Sequence, residues 1–149
     1  MRNTRMPSEI RVVALGAALR GDELLVQEDE LPSTGETFYR LLGGGVEFGE
    51  HSRDAVVREF GEELGVEFAD PTLVDTLERV FTYDGETGHE VWRVYQGSVV
   101  EDWPYDRESF TFIEPEFDTE HVARWMPVER LRDPETTFYV PEVLDSLDR

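Results

Sequence analysis

Gly43-Gly44-Gly45-Val46-Glu47-Phe48-Gly49-Glu50-His51-Ser52-Arg53-Asp54-Ala55-Val56-Val57-Arg58-Glu59-Phe60-Gly61-Glu62-Glu63-Leu64-Gly65-Val66 is the stretch that decides the reading of this chain. Three glycines predict a turn at the end of a short strand, Phe38 to Leu42. A helix follows, with Ser52 as its expected N-cap and Gly65 where a C-cap belongs. Val56, Phe60 and Leu64 recur at four-residue spacing and give that helix one apolar face. At roughly 100° per residue, Glu62 and Glu63 flank Glu59 within an arc of about 100°, bordering the apolar face. Three carboxylates on so narrow a strip repel one another. A hard divalent cation relieves that repulsion, and carboxylate oxygens are the ligands that Mg²⁺ or Mn²⁺ selects. Arg58, four residues before Glu62, is placed to pair with it and orient a carboxylate. On the glutamates alone, a solvated acidic helix face behind a plain glycine turn accounts for the pattern equally well.

The full spacing favours the cation. Gly44, five residues, Glu50, seven residues, then Arg58-Glu59-Phe60-Gly61-Glu62-Glu63-Leu64-Gly65-Val66 resembles the Nudix box at every defined position. A bulky apolar residue follows the Arg-Glu pair, and another follows the closing glycine. The resemblance runs from about Ile10 to Leu131: a strand precedes the glycines, two strands follow the helix, and Trp125-Met126-Pro127-Val128 is similar to the family's late strand-to-helix turn. Leu42 departs from the proline that many members carry there, a difference that touches turn rigidity and not chemistry. The resemblance implies a metal-dependent hydrolase that directs water at phosphorus in a nucleoside diphosphate linked to a further group: a nucleoside triphosphate, an ADP-ribose-like sugar nucleotide or a dinucleoside polyphosphate. It implies Glu59, Glu62 and Glu63 as metal ligands, Glu63 or Glu59 as base for the water, and Arg58 as their catalytic neighbour. Family members are often dimers, so a homodimer is expected. A Nudix-fold module that senses a nucleotide without turnover is the alternative; missing box carboxylates would favour it, and none is missing. A Nudix-fold isomerase of prenyl diphosphates needs a cysteine in its better-known forms, and this chain has none.

Outside the box the candidates are single residues. Arg40 precedes the glycines on a strand and offers a fork of donors to a substrate phosphate, or a salt bridge to one of many acids. Gly44 and Gly45 suit close approach of backbone to a pyrophosphate. Glu50, at the helix entry, is a ligand or a group favoured by the helix dipole. A further acidic ligand is expected from Glu114, Glu116 or Glu120, with Glu116 preferred and Glu90 a lesser candidate. Phe81, Tyr83 and Trp92 are read as core aromatics with a secondary reading as a base-stacking surface. His51, His89 and His121 lack ligand spacing and receive no role.

The rest of the chain reads as one α+β domain over residues 10–149, a mixed sheet packed between helices, after a polar, flexible segment at residues 1–9. Expected elements are a hairpin from Ile10–Leu19 and Leu24–Val26, strands over Leu73–Tyr83, Glu90–Val100, Phe110–Ile113 and Ala123–Met126, a helical turn over Pro127–Leu131 and a C-terminal helix over Pro141–Leu147. Thirty-four acids against fourteen bases, all arginine, give a formal net charge of −20. Such a field repels nucleic acid and anionic membrane, which excludes a nucleic-acid binder that tracks the backbone. It also repels a polyanionic substrate unless a cation intervenes. The absence of lysine and the excess of Asp and Glu resemble proteins of halophilic microbes, for which molar salt screens self-repulsion. The longest apolar run, Val12 to Leu19, is too short to span a bilayer, and no signal peptide is recognisable. A cytoplasmic protein is expected. The lack of cysteine excludes disulfides and thiolate metal sites.

Overall fold

Ile10–Arg20, rich in β-branched and small residues, forms a strand (β1) covered on both faces, and the rest of the fold is arranged about it. The computed structural model describes residues 8–83, 85–115 and 117–149. After β1 come β2 (Glu23–Glu30), β3 (Thr37–Arg40), β4 (Leu42–Gly45), α1 (Ser52–Leu64), β5 (Phe68–Tyr83), β6 (Glu86–Val99), a 3₁₀ turn at Trp103–Asp106, β7 (Ser109–Glu114), β8 (Thr119–Pro127), α2 (Val128–Arg132) and a second 3₁₀ turn at Pro141–Asp145. The eight strands form one mixed sheet in the order β5-β6-β1-β2-β8-β7, with β4 on β1 and β3 on β2. The β1–β6 pair is parallel and the other ladders are antiparallel. β1 meets β2 only at its end, through Leu19 and Arg20, while β4 lies along Val13 to Gly16. The strand expected as a single Phe38–Leu42 segment is therefore broken at Leu41, and its two halves join different neighbours.

Alternation along the strands divides the core in two. Ala14, Ala18, Leu25, Tyr95 and Trp125 pack beneath Val56, Phe60 and Leu64 of α1. Ala17, Leu24, Val26, Val94 and Met126 face the other way, under Leu131, Val143 and Leu144 from α2 and the C-terminal turn. Gly16 sets how closely α1 seats: a Cβ there would lie 2.5 Å from the Phe60 ring. Phe60 then stacks on Phe68 of β5 with ring centroids 4.4 Å apart. This close seating brings the carboxylate side of α1 against β4.

Several elements differ from expectation. The β5–β6 hairpin starts five residues earlier than Leu73 and carries two register shifts. It closes at the Tyr83–Glu86 pair, so the turn is shorter than the expected Asp84 to Gly88. The C-terminal segment makes only a single 3₁₀ turn, where a proline-led run of five residues docks Val143 and Leu144 and then ends. The 3₁₀ turn at Trp103–Asp106 carried no sequence signal. It is held by tertiary contacts: the Tyr105 hydroxyl bonds the Val99 backbone, and Trp125 Nε1 donates to the Pro104 carbonyl. No helix among the described residues is long and apolar enough to cross a membrane.

Candidate active site

The helix begins one residue away from the expected cap. His51 occupies the N-cap position without a capping side-chain bond, and Ser52 lies inside the helix with its hydroxyl 2.6 Å from that of Tyr95. Gly65 caps the C-terminus in the left-handed conformation, as its position in the sequence implies. The three glycines are not a turn. They are β4, paired residue for residue with Val13, Ala14 and Leu15. Gly43 cannot carry a side chain: with φ at +150°, a Cβ would lie 2.0 Å from the Ala14 carbonyl oxygen. Gly44 faces α1, where a Cβ would lie 2.5 Å from the Glu59 carboxyl carbon. A bare backbone at Gly44 is what gives the Glu59 carboxylate its place. Gly45 instead lies under the guanidinium of Arg11.

Arg58 is the hub of one side of the site. Its Nε and Nη2 donate to the two oxygens of Glu50 at 2.8 and 3.0 Å, a fork-on-fork pair. Nη1 donates to Glu59 at 2.9 Å and to Glu62 at 3.2 Å, and Nη2 also reaches the Gly45 carbonyl at 3.0 Å. The expected Arg58–Glu62 pair exists, but it is the outermost of these contacts. The bond to Glu50 is the main cause that holds the Glu50 carboxyl below the usual carboxylate range and raises the Arg58 guanidinium above its own. Glu50 also accepts the Glu47 N–H at 3.1 Å. It anchors the arginine and does not cap the helix.

On the other side, the Glu59 and Glu63 carboxyls lie close enough for each to act on the other. Burial is the first cause that pushes the Glu63 carboxyl up to about 8, and the negative charges of Glu59 and Glu114 add to it, partly offset by Arg40. Burial also raises Glu59, against the pull of Arg58. Two neighbouring acids in a poorly solvated place raise each other's cost of ionisation. Glu62 is half-exposed and turned towards Arg58. Among the described residues no three acidic or histidine side chains converge into a ready-made metal cluster. The donor set nonetheless suits a hard cation: two neighbouring carboxyls, with a third beside them.

The remaining candidates separate clearly. Arg40, half-exposed, pairs through Nε with Asp29 at 3.2 Å, and its charge is felt at Glu63. Of the expected additional acids, Glu114 lies near enough to Glu63 to influence it, Glu120 is exposed on β8, and Glu116 falls outside the described residues. Glu90 is engaged by Arg11 at 3.3 Å and by Trp92 Nε1 at 2.8 Å. Trp92 lies under Arg79, and Phe81 covers Gly88, so both serve hairpin packing. Tyr83 is exposed and close to Tyr139, a residue that sequence reasoning passed over. Tyr139 stacks on Phe38 with ring centroids 4.7 Å apart, held by backbone bonds between Tyr39 and the 137–139 segment. His121, given no role from its spacing, contacts Asp29 and Glu114 at 3.2 Å each. Only the pairing of β2, β8 and β7 makes that visible.

With this geometry in view, the comparisons with known proteins agree with one another. The family model for the NUDIX domain matches residues 10–146. The chain belongs to this family. Putative 8-oxo-dGTP diphosphatase 2 of Mycobacterium tuberculosis is 35% identical over 85 residues, which are 57% of this chain and 60% of the relative's length. The crystal structure of a MutT NUDIX hydrolase from Burkholderia pseudomallei superposes with a TM-score of 0.68 at 24% identity, covering 95% of this chain and all of the other. A NUDIX hydrolase from Nitrosomonas europaea gives 0.62 at 21% identity over 93% of this chain and 86% of its own. These two likenesses establish the α+β Nudix fold, a mixed sheet between helices.

Proposed function

We propose that this protein is a pyrophosphohydrolase that cleaves the phosphoanhydride bond of a nucleoside diphosphate derivative with water. The observation that carries the reading is the Glu59–Glu63 pair, two neighbouring carboxyls pushed up by burial, with Glu59 set over the bare backbone of Gly44. In this reading Glu59, Glu62 and Glu63 hold Mg²⁺ or Mn²⁺, with a further acid from the β7–β8 loop. Glu114 is favoured there by its effect on Glu63, and Glu116 remains the candidate from sequence. When bound, such a cation neutralises charge on the diphosphate and acidifies a water. Glu63, beside Glu59 on the same helix, is the acid placed to take up the water's proton. Glu59 is the second acid placed for that role. Arg58 touches carboxylates and positions them. Arg40 offers its terminal amino groups to a phosphate, and the bare backbone of Gly44 and Gly45 admits the diphosphate. Nucleoside triphosphates come first among substrates because the Mycobacterium tuberculosis relative is named as an 8-oxo-dGTP diphosphatase. The acid surface further supports activity in high salt.

The test is a panel of 8-oxo-dGTP, other nucleoside triphosphates, ADP-ribose and dinucleoside polyphosphates with Mg²⁺ or Mn²⁺ in high salt. Released nucleoside monophosphate, pyrophosphate and phosphate are measured. Glu63→Gln should lower kcat by about 100-fold to 1,000-fold on any substrate turned over. Wild-type turnover in that variant would remove Glu63 from its role. Tight nucleotide binding with no product from any substrate would favour the sensing module.

A further inference from the structure

A polar chain runs through the sheet beside the site and ends on Arg40 and Glu114, two of the charges that act on Glu63. It starts at Arg40 on β3, whose Nε pairs with Asp29 of β2 at 3.2 Å. Asp29 also accepts a bond from Gln27 Nε2 at 2.8 Å and contacts His121 Nδ1 of β8 at 3.2 Å. His121 Nε2 contacts Glu114 of β7 at 3.2 Å. These groups share one face because Gln27 pairs with both Arg40 and Ala123 across the sheet, and Phe112 pairs with His121. Gln27 is the one polar side chain in the fully buried class among the described residues. Its Nε2 donates to Asp29 at 2.8 Å, which leaves His121 Nδ1, 3.2 Å from both, able to donate to Asp29. A buried amide with no apolar alternative in use is costly unless its partners are fixed, so it stiffens the side chains it holds. Asp29 and His121 are themselves mostly buried, at 17% and 12% side-chain exposure, whereas Arg40 is 46% exposed. A half-exposed arginine is therefore tethered to a mostly buried acid. The tether uses Nε and leaves the two terminal amino groups for a ligand.

We infer that Asp29, braced by Gln27 and His121, is a positioning residue that aims Arg40 at the substrate diphosphate. The inference rests on the pyrophosphohydrolase reading for the nature of the ligand. An untethered arginine at a half-exposed site must be ordered each time substrate binds, and that ordering weakens binding. Loss of the brace is thus expected in KM and in nucleotide affinity, with the chemical step little changed.

A double-mutant cycle isolates the effect, because a residue acting only through Arg40 has nothing left to do once Arg40 is gone. Asp29→Asn should raise KM about tenfold with kcat within about twofold of wild type. Arg40→Ala should do the same, and the double variant should be no worse than Arg40→Ala. Asp29→Glu keeps the charge one methylene away and should recover part of the affinity at an unchanged Tm. His121→Ala should raise KM by a smaller factor. The cycle is run in parallel on calorimetric binding of ADP with Mg²⁺. Additive effects of Asp29 and Arg40 in both measurements, or an unchanged KM in Asp29→Asn, overturn the inference while leaving the hydrolase reading intact. No turnover by wild type, with a non-additive cycle in ADP binding, would instead sink the hydrolase reading and leave the brace standing. Absence of both turnover and ADP binding rejects the two together.

Discussion

Glu50, just ahead of α1, and Glu63, in its last turn, carry the same side chain, yet the fold treats them in opposite ways. Glu50 sits in the fork of Arg58, and its carboxyl is held below the ordinary range. Glu63, on the far side of Glu59, is buried against two other acids and lies near 8. One arginine serves four acids, Glu47, Glu50, Glu59 and Glu62, and none of its donors reaches Glu63. The charge deficit is therefore local. A protein with twenty excess negative charges has acid everywhere, but at Glu59 and Glu63 two neighbouring carboxyls are both pushed up by burial.

The largest way to break this contrast is Glu63→Gln in the metal-free protein. Glu63 has a folded value above its unfolded one, so its contribution is complete below about pH 4.5 and fades as pH rises towards 8. The variant should lose that decline and be more stable than wild type at pH 8 by about 2–3 kcal/mol, read from denaturant unfolding in EDTA. If the pair holds the cation as proposed, saturating Mg²⁺ should reverse the order.

Arg58→Ala attacks the opposite side. Glu50 has a depressed value, so its stabilisation is present at neutral pH and is lost as pH falls through and below 4.5. The variant should lose about 2 kcal/mol at pH 7 and show a flatter acid limb in a pH series of Tm. An acid limb as steep as that of wild type would show that the pairing contributes little.

Salt sharpens the comparison without mutation. Screening relieves the diffuse repulsion of an acidic surface more than it weakens a partly buried ion-pair cluster. Tm should rise from low to molar KCl by roughly 4–8 °C, a change on the order of 1–2 kcal/mol. A flat curve would count against the high-salt reading.

Gly44→Ala is the smallest in stability and the most local. The added methyl meets the Glu59 carboxylate, which Arg58 holds in place. Turnover should fall about tenfold while stability falls by less than about 1 kcal/mol. Gly43→Ala, which would strike the β1 backbone instead, serves as the contrasting control and should unfold more readily.

Much of this was legible in the chain before any fold. The helix from Ser52 to Leu64, its Gly65 stop and the acid strip follow from periodicity, which is local and survives without neighbours. The α+β class and most of the strands follow from apolar runs and turn residues in the same way. The glycines were recognised as special but misread as a turn, because a strand made of Leu42-Gly43-Gly44-Gly45 has no β-propensity; only pairing with β1 makes it one. The C-terminal helix and the Ser52 cap failed for a related reason: tertiary partners, Tyr95 for Ser52 and the core for Val143 and Leu144, won over local preference.

The sequence by itself determined that a glycine run, a capped amphipathic helix and three box glutamates stand at fixed spacing, since helix geometry converts spacing directly into direction. It also determined the sign and size of the surface charge. Tertiary structure alone decided which glutamate is paired with Arg58 and which is pushed up by burial, and that His121, Asp29 and Arg40 meet. Electrostatic environment depends on what lies within a few ångströms, and residues 27, 40, 114 and 121 become neighbours only when their strands pair.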